Sequence, residues 1–106
     1  MESEREGEVT GDPRFHELLK ELGRLHDKKQ EDYGTDNDAF ANVRGVQELG
    51  IKPYVGALVR MSDKWKRIQK FARFGSLSNE SFEDSLMDMA VYSLICLVLY
   101  REEQRG

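Results

Sequence analysis

Glu80-Ser81-Phe82-Glu83-Asp84-Ser85-Leu86-Met87-Asp88-Met89-Ala90-Val91-Tyr92 is the stretch on which the reading of this chain turns. Glu80, Asp84 and Asp88 recur every four residues, so a helix here lines them along one face. Like charges at that spacing repel by a few tenths of a kcal/mol per pair in water. Asp88 also sits within the most apolar run of the chain, Leu86 to Tyr100. A carboxylate drawn toward a core costs several kcal/mol unless something neutralises it. A divalent cation would do so, and magnesium, a hard cation, prefers oxygen ligands.

Outward from that stretch the pattern is helical throughout. Asp12-Pro13 reads as a helix start, with an acid at the N-cap and proline at the first helical position. Phe15, Leu18, Leu19, Leu22 and Leu25 then form one stripe, and Gly34 is a stop after Tyr33. Asp38 would cap a short helix over 39–49, with Phe40, Val43 and Val46 or Gln47 facing inward and Gly50 at its end. A third helix runs from Pro53 to Phe74. Its stripe of Tyr54, Leu58, Met61, Trp65, Ile68 and Ala72 places Trp65 in the core, and Gly75 ends it. Asn79 or Ser81 caps the last helix, with Ser81 and Asp84 spaced as a capping box, and that helix reaches about Glu103. No segment alternates as a strand does. The expected architecture is therefore all-α, a small bundle of three main helices and one short one over residues 12–104, behind an acidic tail over 1–11 that reads as disordered. The last helix is apolar nearly all round between Leu94 and Tyr100, which calls for cover on several sides and makes a dimer the natural completion.

Composition narrows the function. In 106 residues, 39% are hydrophobic and 34% charged, as in a soluble helix-rich domain. A net charge of −4 speaks against direct nucleic-acid binding. The single cysteine, Cys96, excludes an intrachain disulfide and reads as a small core residue of a reducing compartment. The N-terminus lacks an apolar leader, and Leu86 to Tyr100 is too short to span a bilayer, so the chain is expected to be cytosolic and free of the membrane. His16 and His26 lie ten apart, not at ligand spacing, and read as surface or boundary residues. The serines carry no nucleophile motif, and there is no glycine-rich phosphate loop.

The charges of the last two long helices are sorted. Arg60, Lys64, Lys66, Arg67, Lys70 and Arg73 crowd one, with Asp63 among them. Glu80, Glu83, Asp84 and Asp88 crowd the other. Interhelical salt bridging is one reading. The other is a two-part site in which carboxylates hold a metal and the neighbouring bases hold an anionic substrate. Asp63 favours the second, because it can meet the acids of the last helix across the interface, and carboxylates from facing helices are a known way to build a metal site. Lys29, Tyr33 and Asn42 are secondary candidates. Lys29 would contact phosphate, Tyr33 stack on a base or pack over the helix end, and Asn42 read a base edge or sit on a turn.

Taken together, Lys29-x-x-Asp32-Tyr33-Gly34, Phe40-x-Asn42, Arg60-x-x-Asp63-Lys64-x-x-Arg67 and Glu80-Ser81-x-x-Asp84-Ser85-x-x-Asp88-x-Ala90-x-Tyr92 resemble a small all-α family common in phage and prophage genomes, the first nucleotide-modification-associated domain. The resemblance covers roughly residues 18–100. The chain is also similar, more distantly, to the MazG-type all-α nucleoside triphosphate pyrophosphohydrolases. Those carry Glu-x-x-Glu on one helix and Glu-x-x-Asp on the next, where this chain has Arg60-x-x-Asp63 and Ser85-x-x-Asp88. The resemblance implies a helical dimer or higher oligomer that takes a nucleotide ligand. Asp63, Glu80, Asp84 and Asp88 would be its metal-holding acids, with Asp63, Asp84 and Asp88 catalytic. Lys29, Arg60, Lys64 and Arg67 would be its phosphate-facing set, beside Tyr33 and Asn42.

The leading expectation is a magnesium-dependent pyrophosphohydrolase, manganese substituting, that splits a deoxynucleoside triphosphate into monophosphate and pyrophosphate. The metal would activate a water for attack at the α–β anhydride while the bases offset charge on the leaving group. Two other readings stay open. One is a nucleotide-binding module without hydrolysis, which the placement of Arg60 and Ser85 favours. The other is a structural helical dimer whose charges merely pair.

Overall fold

The computed structural model describes residues 10–33, 40–76 and 81–106, with the backbone alone at 32 and 33. Within them the fold is all-α. Helix α1 is Pro13–Tyr33, and α2 is a single turn, Ala41–Arg44, continued by a 3-10 segment, Gly45–Leu49. Helix α3 is Pro53–Phe74 and α4 is Phe82–Arg105.

Local chemistry sets these ends. The Asp12 carboxylate accepts the backbone N–H of Arg14 at 2.8 Å, satisfying one of the donors orphaned at the start of α1. That bond and the Arg14 guanidinium both hold the Asp12 carboxyl below its ordinary range, the guanidinium more strongly. Pro53 opens α3 after an extended Lys52. Gly75 closes it at φ 78°, in the left-handed region, its N–H reaching the Phe71 carbonyl at 2.7 Å. Ser81 caps α4, its Oγ accepting the Asp84 N–H at 3.0 Å. The expected short helix over 39–49 is corrected to a start at Ala41, with Phe40 at the N-cap. The capping proposed for Asp38 and the stop at Gly34 fall outside the described residues, as does nearly all of the acidic tail.

Helices α3 and α4 pack antiparallel, and their register can be followed pair by pair. Tyr54 meets Tyr100 edge-on with ring centroids 5.4 Å apart, and the Cys96 thiol donates to the Tyr54 carbonyl at 3.5 Å. Lys64 meets Asp88, and Phe71 stacks on Phe82 at 4.3 Å. Helix α2 presses Val43 onto α3 at Gly56. A Cβ there would stand 2.9 Å from the Val43 carbonyl oxygen, so this approach needs a residue without one. The buried apolar side chains are Val43, Ala57, Val91, Tyr92 and Leu99, with Phe40, Tyr54, Met61, Ile95 and Cys96 partly buried against them.

The stripe expected for α3 is rotated in part. Tyr54, Met61 and Ile68 face the core, but Leu58 and Ala72 are exposed and Trp65 is 49% exposed, so Trp65 is not a core residue of this chain. The buried residues of α3 are instead Pro53 and the small Gly56 and Ala57, and at Gly56 the absent side chain lets α2 approach closely. Among the described residues, no helix is long and apolar enough to cross a membrane.

Candidate functional site

Three helices bring charged side chains together at one point. Asp88 stands near the start of α4 and its side chain is 12% exposed. Its Oδ2 takes the Lys64 ammonium of α3 at 2.9 Å, and its Oδ1 takes the Lys29 ammonium of α1 at 3.4 Å. The charge that neutralises this buried carboxylate therefore comes from two lysines. Three residues before Asp88, on the same face, Ser85 is fully buried. Three residues after Lys64, Arg67 is half-buried on the matching face of α3. Every buried side-chain nitrogen and oxygen among the described residues has a hydrogen-bond partner.

The helix periods explain which acids join and which do not. Consecutive residues of a helix point about 100° apart, so with Lys64 turned into the interface its neighbour Asp63 turns out, and Asp63 is exposed. Asp84 is exposed as well, near the capped start of α4. Among the described residues no group of three or more His, Cys, Asp or Glu stands close enough to hold a metal ion. Glu80 and the Tyr33 side chain, both named as candidates, lie outside the described residues. Arg60 is exposed and Asn42 is half-buried on α2. Of the sorted bases of α3, Lys66, Lys70 and Arg73 are exposed and line an open hollow at its C-terminal end with Gln69 and Phe74. His16 is exposed and His26 half-buried, its ring 5.8 Å from that of Phe40.

Two ion pairs went unread in the sequence. Arg44 of α2 grips Glu102 near the end of α4 through two bonds, at 2.9 and 3.3 Å, and Lys52 stands 3.6 Å from Glu103. The partners of the first pair are 58 residues apart, and no local pattern marks them. The Cys96 thiol, partly buried on α4, has its pKa raised by burial.

No protein-family model matches the chain, and it matches neither a curated protein nor a solved structure. What the site can do therefore follows from its own chemistry. Two ammonium groups from different helices, held at a fixed separation by one carboxylate, form a compact cationic pair.

Proposed function

We propose that this chain binds the phosphate groups of a nucleotide where α1, α3 and α4 meet. The observation that carries this reading is the convergence of Lys29 and Lys64 on opposite oxygens of Asp88. Lysine is a common phosphate ligand, acting as a point charge. Asp88 positions both ammoniums before any ligand arrives, which lowers the ordering cost of binding. Arg67, one turn along α3, extends the basic surface with a group suited to paired phosphate oxygens. The likeness to the phage nucleotide-modification-associated domain supports a nucleotide over other phosphate-bearing ligands.

The test is thermal stabilisation of the purified chain by a panel of deoxynucleoside triphosphates in the presence of EDTA. A ligand at a hundred times its Kd adds about 2.7 kcal/mol to stability. Lys64→Ala and Lys29→Ala should each weaken that effect at least tenfold in apparent Kd. If no nucleotide shifts the transition, or if both variants bind as well as the parent, the reading fails.

Hydrolysis to monophosphate and pyrophosphate is the second reading. It is favoured by Asp84 lying one helical turn from Asp88, the carboxylate that meets the lysines, since magnesium often takes one or two carboxylates together with substrate phosphates. The described carboxylates assemble no cage of three, so no catalytic step is built on them. Pyrophosphate release with magnesium or manganese separates the readings. Binding without release leaves a nucleotide-holding module, and release that Asp88→Asn abolishes makes the chain a pyrophosphohydrolase.

A further inference from the structure

The junction of Lys29 with Asp88 opens onto an apolar cavity, and the helix repeat ties the two together. On α1, Lys29, His26 and Leu22 stand at steps of three and four, so they share a face. On α4, Asp88, Val91 and Ile95 do the same. Lys29 and Asp88 meet at 3.4 Å. The other four residues belong to the walls of a cavity of about 280 Å³ between the two helices. Its near end therefore lies one turn, about 5 Å, from the ion pair.

The cavity differs in kind from the junction. Of the side chains that line it, only that of His26 is polar. The His26 ring lies 5.8 Å from the ring of Phe40, which also lines the cavity. At Gly23, one turn from His26 on the same wall, an added Cβ would meet nothing within 4 Å, so the missing side chain leaves the slot open there. The volume is at the small end for ligand pockets and suits one flat ring system better than a whole nucleotide. A cationic pair one turn from an apolar slot fits an anion of divided character, charged at one end and carrying a ring at a fixed remove.

We propose that the cavity between α1 and α4 receives the base of the nucleotide whose phosphates meet Lys29 and Lys64, with the sugar bridging the turn between them. This placement rests on the nucleotide reading given above. The base is held by the aliphatic walls and by the rings of His26 and Phe40. It is not held by a set of edge hydrogen bonds, since His26 is the one lining side chain able to make one. Binding should then depend on having a base more than on which base, because ring stacking tolerates all of them.

Isothermal titration in EDTA compares two kinds of probe on the full chain. One is each of the four common deoxynucleoside triphosphates in turn, and the other is inorganic tripolyphosphate, which has the charge and no base. The nucleotides should bind about tenfold more tightly than tripolyphosphate. Gly23→Leu fills the slot, so it should remove that margin and leave tripolyphosphate binding unchanged, whereas Lys64→Ala should weaken both. Helicity by circular dichroism is read alongside. Methyl resonances of Leu22 and Ile95 in the parent chain give a second measure that needs no variant, and they should shift with nucleotide and not with tripolyphosphate. Tripolyphosphate that binds as tightly as every nucleotide overturns the base placement and leaves the phosphate reading standing. So does a fully helical Gly23→Leu chain that keeps the margin, or a set of cavity methyls that nucleotide leaves unmoved. If neither probe binds, the phosphate reading itself fails and the placement falls with it.

Discussion

The Lys64 ammonium lies 2.9 Å from Oδ2 of Asp88, and the two side chains are only 18% and 12% exposed. Removing one partner of so shielded a pair strands the other. Asp88→Ala should destabilise the chain by about 3 kcal/mol, the low end of the range for breaking a buried pair, because lysines can stretch toward water. Asp88→Asn should cost about half of that, its amide oxygen still accepting a hydrogen bond. Urea denaturation without added metal measures both. A gain in stability on losing the carboxylate would mean instead that Asp88 is kept for a cation and tolerated at a loss.

Glycine should behave oppositely at two positions. At Gly56 an added Cβ meets the Val43 carbonyl oxygen and Val46 Cγ2, each at 2.9 Å, and the first of these is backbone that cannot swing aside. Gly56→Ala should destabilise by about 1–3 kcal/mol through overpacking. At Gly23, within α1, nothing lies within 4 Å of the new methyl. Gly23→Ala should stabilise the isolated chain by about 1 kcal/mol through helix propensity. Thermal melts of the pair, run side by side, check the contrast.

Ser81→Ala removes the acceptor for the Asp84 N–H at the start of α4. Loss of an N-cap side chain costs about 1 kcal/mol. Ser81→Asp should restore most of it, since an acid at that end also meets the helix dipole favourably. Denaturant midpoints for the two variants decide the point.

Cys96 should be slow to react. Burial raises its thiol pKa, and the Sγ donates to the Tyr54 carbonyl at 3.5 Å, so little thiolate is present near neutral pH. Alkylation by iodoacetamide should be far slower in the folded chain than in urea, and should quicken with pH. The sign of the linked stability follows from the raised pKa. The folded chain holds this proton more tightly than the unfolded one, so the contribution is intact below the unfolded thiol pKa and fades as pH climbs through the alkaline range. Equal alkylation rates in folded and unfolded chain would contradict the burial.

Much of the fold was legible because helix ends are written in adjacent residues. Pro13 and Pro53 start helices, Gly50 and Gly75 stop them in the left-handed region, and Ser81 caps the last one. What periodicity cannot tell is which of two apolar faces meets the same chain. Trp65 and Leu58 belong to a regular stripe, yet α3 turns Gly56 and Ala57 to its neighbours because small residues allow closer approach. The candidate site was legible in its members and not in its pairing. Asp88 stood out as a carboxylate needing compensation, and Lys29 and Lys64 stood out as phosphate ligands. That one would satisfy the other depends on helices far apart in sequence, which no local spacing encodes. Asp63 was drawn in by its proximity to Lys64 along the chain, and the 100° step of the helix turns it away.

The grip of Arg44 on Glu102 and the hold of Lys29 on Asp88 act at opposite ends of the same helix. Both ties span a long stretch of backbone, whereas α3 and α4 are neighbours joined by a brief connection. Closing a short loop is entropically easier than closing a long one. The hairpin of α3 and α4 would therefore form early and serve as a template, with α2 and α1 settling on it afterwards, one at each extremity. With residues 13–21 all exposed, α1 is expected to exchange its amide hydrogens before the hairpin does.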